Sequence, residues 1–278
     1  MKKEIFKKKI FALIELMRPG NCLMALIAIL VGYAVSRGGD YSIALITAIA
    51  GFLICAGGQA INDYFDASID AKVSKHKPIP SKRITRKEAL WFSINLFILG
   101  NLLALTINSM TSNIALLFTT LLVIYPLFLN KVKYLGNFIV AGGTAVTFVF
   151  GSIATGGIHD LVIALAITAF FANMGREITK DIEDLKKDKN TKKTLPNLIG
   201  VNNSKLFVIT YYLLAIIAGL GTYILFLLNT YYLIFILATI TILFYTTILL
   251  LKNNFRESQK FSKIGMIFAI IGFVLILI

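Results

Sequence analysis

Hydrophobic residues in this chain run in long blocks instead of alternating with polar ones. The blocks lie near 21–36, 42–63, 89–107, 112–129, 135–155, 160–178, 205–228, 231–251 and 262–278, separated by short polar stretches. Apolar runs of about 18 or more residues read as membrane-spanning helices, because a helix satisfies its backbone polar groups without help from water. The pattern predicts an all-α, multipass transmembrane helical bundle of about nine helices, with residues 1–278 forming a single membrane domain. The start, MKKEIFKKKIFALIELMRPG, has no small-residue cleavage site after its short apolar stretch, so it is expected to be a helix leading into the first span. Helix caps are expected at Asp160 and at Asn203-Ser204, and Thr85 with Glu88 has capping-box spacing. Pro126, inside the fourth block, predicts a kink.

The polar connections fall into two sets. Residues 1–20, 70–88, 130–134, 176–205 and 252–263 hold 27 of the 28 Lys and Arg residues, leaving only Arg37 for SRGGDY, NSMTSN, TGGIHD and LNTYY. Cytoplasmic loops carry the Lys/Arg excess. The basic set is therefore expected on the cytoplasmic side of a cell membrane, with the N-terminus inside and, after nine spans, the C-terminus outside.

Composition agrees. Hydrophobic residues make up 57% and charged residues 15%, against about 25% charged in soluble proteins. The net charge of +14 would suggest nucleic acid in a soluble protein. No basic stripe interleaves with stacking aromatics here, so the expected partner is the lipid bilayer, with no nucleic acid. Cys22 and Cys55 lack a CxxC or histidine pattern and are expected to be small buried side chains. Trp91 and the pairs Tyr211-Tyr212 and Tyr231-Tyr232 read as interface belts.

Two segments carry the chemistry. In GGQAINDYFDASIDAKVSKHKPIPSKRI, residues Asn62, Asp66 and Asp70 recur every four positions, so a continuing helix stacks them on one face with Gln59, and Asp63 lies beside it. In FFANMGREITKDIEDLKKDKNTKKTLPNLIG, Glu177, Asp181, Asp184 and Asp188 follow spacings of four, three and four. Like charges at such spacing repel, so the faces need a counter-cation. Mg²⁺ prefers carboxylate and water oxygens and bridges carboxylates to substrate phosphates. Lys77, Lys82, Arg83, Arg176 and Lys180 nearby suit phosphate oxygens. Acid and base together at one membrane edge predict a metal-bridged diphosphate. Salt-bridged helix ends with topology-marking lysines are the plain alternative for either segment alone.

These residues resemble the UbiA superfamily of membrane-bound prenyltransferases. Its NxxxDxxxD motif stands as Asn62, Asp66 and Asp70, and its DxxDxxxD motif as Asp181, Asp184 and Asp188. KPIPSKRI is similar to the family's RPIPSGRI, with Lys82 where the family has glycine, and RPGN at 18–21 is similar to RPxN. LGNFIVAGGT, GREITKDIED and TLPNLIG complete the match, while the last three helices match in hydropathy alone. The KKD before the second motif's end departs from the usual EGD. In the tyrosine-to-lysine element YPLFLNKVK, Tyr125 is in place but Asn130 stands at the lysine position, so Lys131 or Lys133 is expected to take that role.

Within the superfamily, RPGNCLMA, NDYFDASIDA and GREITKDIED look most like the archaeal-type geranylgeranylglyceryl phosphate geranylgeranyltransferases. That resemblance implies transfer from geranylgeranyl diphosphate to the hydroxyl of geranylgeranylglyceryl phosphate, forming the second ether bond of an archaeal-type lipid. It implies Mg²⁺ on the six motif residues, which carry the catalysis. Substrate would be bound by Arg18, Asn21, Asp63, Lys77, Arg83, Tyr125, Lys131, Arg176 and Lys180. Lys77, Arg83 and a lysine near 131 would neutralise the leaving diphosphate. Arg18 and Asn21 would hold the acceptor headgroup, and its phosphate has Arg18, Lys131, Lys133 and Lys180 to draw on. Asn173 is either a ligand support or an interhelical hydrogen bond, while His76 and His159 are expected to play no catalytic part. An aromatic or haem-precursor acceptor is the alternative within the superfamily. A transporter is the alternative outside it, although its ionisable groups belong near the midplane.

Overall fold

A computed structural model describes residues 2–129, 133–185 and 194–278. Its helices are α1 (Lys2–Met17), α2 (Pro19–Val35), α3 (Tyr41–Val73), α4 (Arg86–Leu105), α5 (Ser109–Ile124), α6 (Lys133–Ile153), α7 (Asp160–Glu183), α8 (Leu195–Ile199), α9 (Val201–Phe226), α10 (Thr230–Leu251) and α11 (Phe255–Leu275). No strand occurs among the described residues. Eight helices are long and apolar enough to cross a membrane, or nine spans if the bent pair Lys7–Met17 and Pro19–Val35 counts as one. The chain is an integral membrane protein. The segments Lys131 and Asp188 belong to lie outside the described residues.

The break between α1 and α2 follows from its sequence. Pro19 lacks an N–H and suits the first position of a new helix. Arg18, just before it, takes a left-handed backbone with φ of 48°, and the two axes diverge by 51°.

The chain forms two compact units. The first, residues 1–27 and 40–128, holds α1, the start of α2, α3, α4 and α5. Its core gathers Ala12, Leu16, Ala60, Ile84 and Ala89, with Cys22, Ala56 and Leu96 alongside. Ser93 of α4 donates to the Gly57 carbonyl of α3 at 2.8 Å, a contact that glycine's missing side chain permits. The free Cys22 and Cys55 thiols touch at 3.4 Å in this core. The capping box forms as expected, with Thr85 and Glu88 exchanging side-chain and backbone hydrogen bonds.

The second unit, residues 28–39 and 129–278, packs α7 against α6, α9 and α11. Its core includes Met174, Ile178, Ile182, Val208, Tyr212 and Leu250. Where α2 crosses α6, a side chain on Gly32 would strike the Phe148 carbonyl, and one on Gly151 the Ile29 carbonyl. These glycines set the close helix approach.

Several expectations change. The cap of α7 is His159, whose Nδ1 accepts from the Leu161 N–H, with Asp160 as the first helical residue. Gly200, with φ of 83°, precedes α9, while Asn203 and Ser204 bond back to carbonyls already within reach of that helix. Instead of a simple kink, Pro126 lies in a five-residue π turn, Tyr125–Leu129. Pro lacks the N–H that regular α-pairing needs, and a π register is one way to absorb the gap. Trp91 is exposed, as a belt residue should be, but Tyr212 and Tyr232 are buried. Tyr232 donates to the Gly219 carbonyl at 2.9 Å, so its hydroxyl finds its partner inside the bundle.

Candidate functional site

Helix α3 carries the first aspartate segment because it does not stop at the membrane edge. Its 33 residues extend about 50 Å, against a hydrocarbon core about 30 Å thick. The last turns, NDYFDASIDA, keep the side chains of Asn62, Asp66 and Asp70 on one face as expected. Asp63 lies beside that face and shares a cation with it. Both it and Asp70 are buried, and the Lys77 ammonium lies 3.4 Å from the Asp63 carboxylate and 2.7 Å from that of Asp70. Arg18, thrown out of helical register at the α1–α2 break, donates to Asp63 at 2.7 Å. The sequence Arg18, Asp63, Lys77, Asp70 thus forms an alternating chain of cations and carboxylates.

Lys77 reaches this position from a tightly wound loop. Backbone hydrogen bonds run from Ser81 to Lys77, from Lys82 to Ile79 and from Arg83 to Pro78, while Ile84 is buried in the core. Lys82 has φ of 59°, a conformation that glycine adopts at little cost and other residues disfavour. That accounts for the family's glycine at this place. Arg83 is committed elsewhere. It grips Glu15 through two hydrogen bonds, at 2.5 and 3.0 Å, and donates to the His76 carbonyl. The Glu15 carboxylate raises the Arg83 pKa further above its already high value. His76 is exposed and takes part through that carbonyl.

In the second unit, α6 and α7 run antiparallel and meet through polar side chains. Asn137 donates to the Asp181 carboxylate at 2.8 Å, and Asn173 donates to Thr144 at 2.7 Å and the Val140 carbonyl at 3.4 Å. Asn173 therefore makes an interhelical hydrogen bond. Asp181 is fully buried and Glu177 nearly so. Glu177 receives Arg176 at 2.7 Å and Lys180 at 3.3 Å. Asp184 caps the C-terminal end of α7. The sequence reading passed over Asn137; its signal was an amide inside the otherwise apolar LGNFIVAGG. Tyr125 opens the π turn, and Asn21 lies in the first turn of α2.

The donors suit a hard divalent cation. Asp63 and Asp70 already converge on one cation, the Lys77 ammonium, and their oxygens are the type Mg²⁺ prefers. Among the described residues no three His, Cys, Asp or Glu side chains cluster closely enough to hold a metal by themselves. Mg²⁺ usually takes one or two carboxylates and completes its shell with water and substrate phosphate.

A model of the UbiA prenyltransferase family matches residues 25–271. The chain belongs to the UbiA prenyltransferase family. It is thus a membrane-bound prenyltransferase. A digeranylgeranylglyceryl phosphate synthase of Methanothrix thermoacetophila is 38% identical over 266 residues, covering 95% of this chain and 98% of that one. A solved structure concerned with digeranylgeranylglyceryl phosphate synthase in membranes superposes on this UbiA family member with a TM-score of 0.78. It is 33% identical and covers 97% of this chain and 98% of its own. A UbiA homologue from Archaeoglobus fulgidus, bound to dimethylallyl diphosphate and Mg²⁺, shares the fold at a TM-score of 0.67, with 19% identity and coverage of 95% and 98%.

Proposed function

We propose that this UbiA family member transfers a geranylgeranyl group from geranylgeranyl diphosphate to the hydroxyl of geranylgeranylglyceryl phosphate. The product is the second ether bond of an archaeal-type membrane lipid. The observation that carries the chemistry is the alternation of Arg18, Asp63, Lys77 and Asp70, which offers a diphosphate both metal-binding oxygens and cations. The extent of likeness to named digeranylgeranylglyceryl phosphate synthases supports the acceptor.

The metal-site residues in this reading are Asn62, Asp66, Asp70, Asp181, Asp184 and Asp188. Bound Mg²⁺ supplies charge neutralisation for the leaving diphosphate. Lys77 and Arg18 stabilise the same developing charge through hydrogen bonds. As the allylic C1–O bond breaks, its electron pair leaves with diphosphate. The apolar helix faces shield the resulting carbocation from water. The acceptor oxygen then bonds to C1 and its proton is released. Arg83 contributes by fixing the loop that presents Lys77, since its guanidinium is occupied by Glu15 and His76.

The whole chain acts as a single prenyltransferase domain in this reading. The N-terminus and the active site face the cytoplasm of a cell membrane, with the C-terminus outside, as the basic loops imply. A competition assay tests the function. Purified protein given geranylgeranyl diphosphate, Mg²⁺ and equal amounts of geranylgeranylglyceryl phosphate and 4-hydroxybenzoate should prenylate the lipid phosphate. Preference for the aromatic acid would move the chain to another branch of the same family.

A further inference from the structure

Cys22 and Cys55 are the chain's only two cysteines. Cys22 stands in the first turn of α2 and Cys55 in the middle of α3. Within the first unit their thiols meet, the Cys22 Sγ donating toward the Cys55 Sγ at 3.4 Å. A disulfide needs about 2.05 Å, so a movement of about 1.3 Å would close one. Cys22 is fully buried and Cys55 partly exposed. An apolar cluster that includes Ala56, Leu96 and Phe52 packs around the pair.

The Cys22 Sγ also donates to the Met17 carbonyl at 3.0 Å. That carbonyl ends α1, at the break where Arg18 takes its φ of 48° and turns its guanidinium to Asp63 at 2.7 Å. Carbonyls at a helix end need donors from outside the helix. One S–H therefore serves two acceptors, and one of them belongs to the backbone that aims Arg18. A disulfide would remove that S–H. The Met17 carbonyl would lose this donor while the start of α2 was drawn toward α3.

We propose that Cys22 and Cys55 form an oxidisable dithiol, a modification site for a small membrane-permeant disulfide, whose bridge misaligns Arg18 and weakens diphosphate binding. The partly exposed Cys55 sulfur attacks the small disulfide and expels one small thiol, which takes the Cys55 proton. Cys22 then attacks the Cys55 Sγ of the mixed disulfide and expels a second small thiol with its own proton. The protein gives up two protons and two electrons, and the small disulfide is reduced to two thiols. The second step is fast because its partners are already in contact. On the cytoplasmic side proposed above, thiols are the resting state and the bridge is the transient one. The effect on binding rests on the role of Arg18 in the proposed function, whereas the bridge itself does not.

The test treats purified protein with 4,4′-dithiodipyridine, an apolar disulfide whose released thiopyridone absorbs light. Each chain should release about two equivalents of thiopyridone, and its intact mass should fall by about two hydrogens with no adduct left. The Kd for geranylgeranyl diphosphate with Mg²⁺, measured by calorimetry, should then rise about fivefold, as expected for one lost hydrogen bond. Dithiothreitol should restore both mass and affinity. Cys22→Ser keeps a donor for the Met17 carbonyl but cannot close the bridge, so it should bind like untreated wild type and hold a pyridyl adduct at Cys55. Cys22→Ala, without the donor, should bind about fivefold more weakly before any oxidation. Should Cys22→Ala fail to accumulate in membranes, the wild type before and after oxidation decides. Stable adducts on both cysteines, or thiols that stay unreacted in the folded protein, would overturn the bridge. A complete bridge with unchanged binding would overturn its link to Arg18. No acceptor enters either readout, so failure to prenylate geranylgeranylglyceryl phosphate would sink the proposed acceptor and leave this test standing.

Discussion

Lys77 shows how a single side chain can organise the acidic end of α3. Asp63 and Asp70 are two turns apart and would repel, yet one ammonium lies within 3.4 Å of the first and 2.7 Å of the second. Asp66→Ala, Asp70→Ala and Asp181→Ala should each cut turnover by about a hundredfold or more, since each removes charge stabilisation on the order of 3 kcal/mol from the transition state. Steady-state rates in membranes with matched protein levels check this. Asp160→Ala should leave turnover within about twofold, because the exposed first residue of α7 contributes at most about 1 kcal/mol through the helix dipole. Lys82→Gly should raise the thermal midpoint slightly, by removing roughly 1 kcal/mol of left-handed backbone cost at φ 59°. The four-residue spacing revealed the aspartate face, because a helix converts spacing directly into direction. It did not reveal that Asp63 shares the Lys77 ammonium with Asp70 or that Arg83 turns away to Glu15. Those depend on a loop conformation that spacing does not encode.

Among the elements, α3 and α7 were legible as long apolar runs ending in acidic turns; α3 continues as a helix through its turn to Val73, while α7 ends at Glu183 with Asp184 as its cap. Their caps were read less well. Asp160 and Asn203-Ser204 were plausible caps by residue type, but capping depends on the backbone angle at one position, and His159 and Gly200 hold it. Thr85 and Glu88 were readable because a reciprocal pair constrains the geometry more than a lone polar residue does. The tyrosine pairs misled for a related reason. Adjacent residues on a helix point about 100° apart, so Tyr212 and Tyr232 turn inward while Tyr231 faces out. The α2–α6 crossing gives a prediction at this scale. Gly151→Val should prevent the close approach to the Ile29 carbonyl and lower the yield of folded protein in detergent, measured by size-exclusion chromatography. Gly142→Ala, on the same helix with nothing nearby to strike, should be tolerated.

For the molecule as a whole, orientation turns on whether α1 and α2 cross as one bent span. Counting them so gives nine crossings and opposite sides for the two termini. The distribution of Lys and Arg puts the N-terminus inside. Epitope tags at the two ends should therefore be protected and exposed, respectively, in intact cells treated with protease. Protection of both would mean eight crossings and a lying-down N-terminal pair. Membrane class and family were legible because both are written in local patterns, hydrophobic blocks and two aspartate motifs. The partner of Asn137 was not, since it depends on which helix lies opposite.

Metal-dependent geranylgeranyl transfer is tested most directly by following one reaction with and without chelation. Purified protein, geranylgeranyl diphosphate and geranylgeranylglyceryl phosphate should give a doubly prenylated glyceryl phosphate by mass spectrometry, with equimolar diphosphate released. EDTA should stop both products, because unscreened carboxylates repel a diphosphate, and excess Mg²⁺ should restore them together. Full product formation after exhaustive chelation, or diphosphate release without the new ether, would contradict the account.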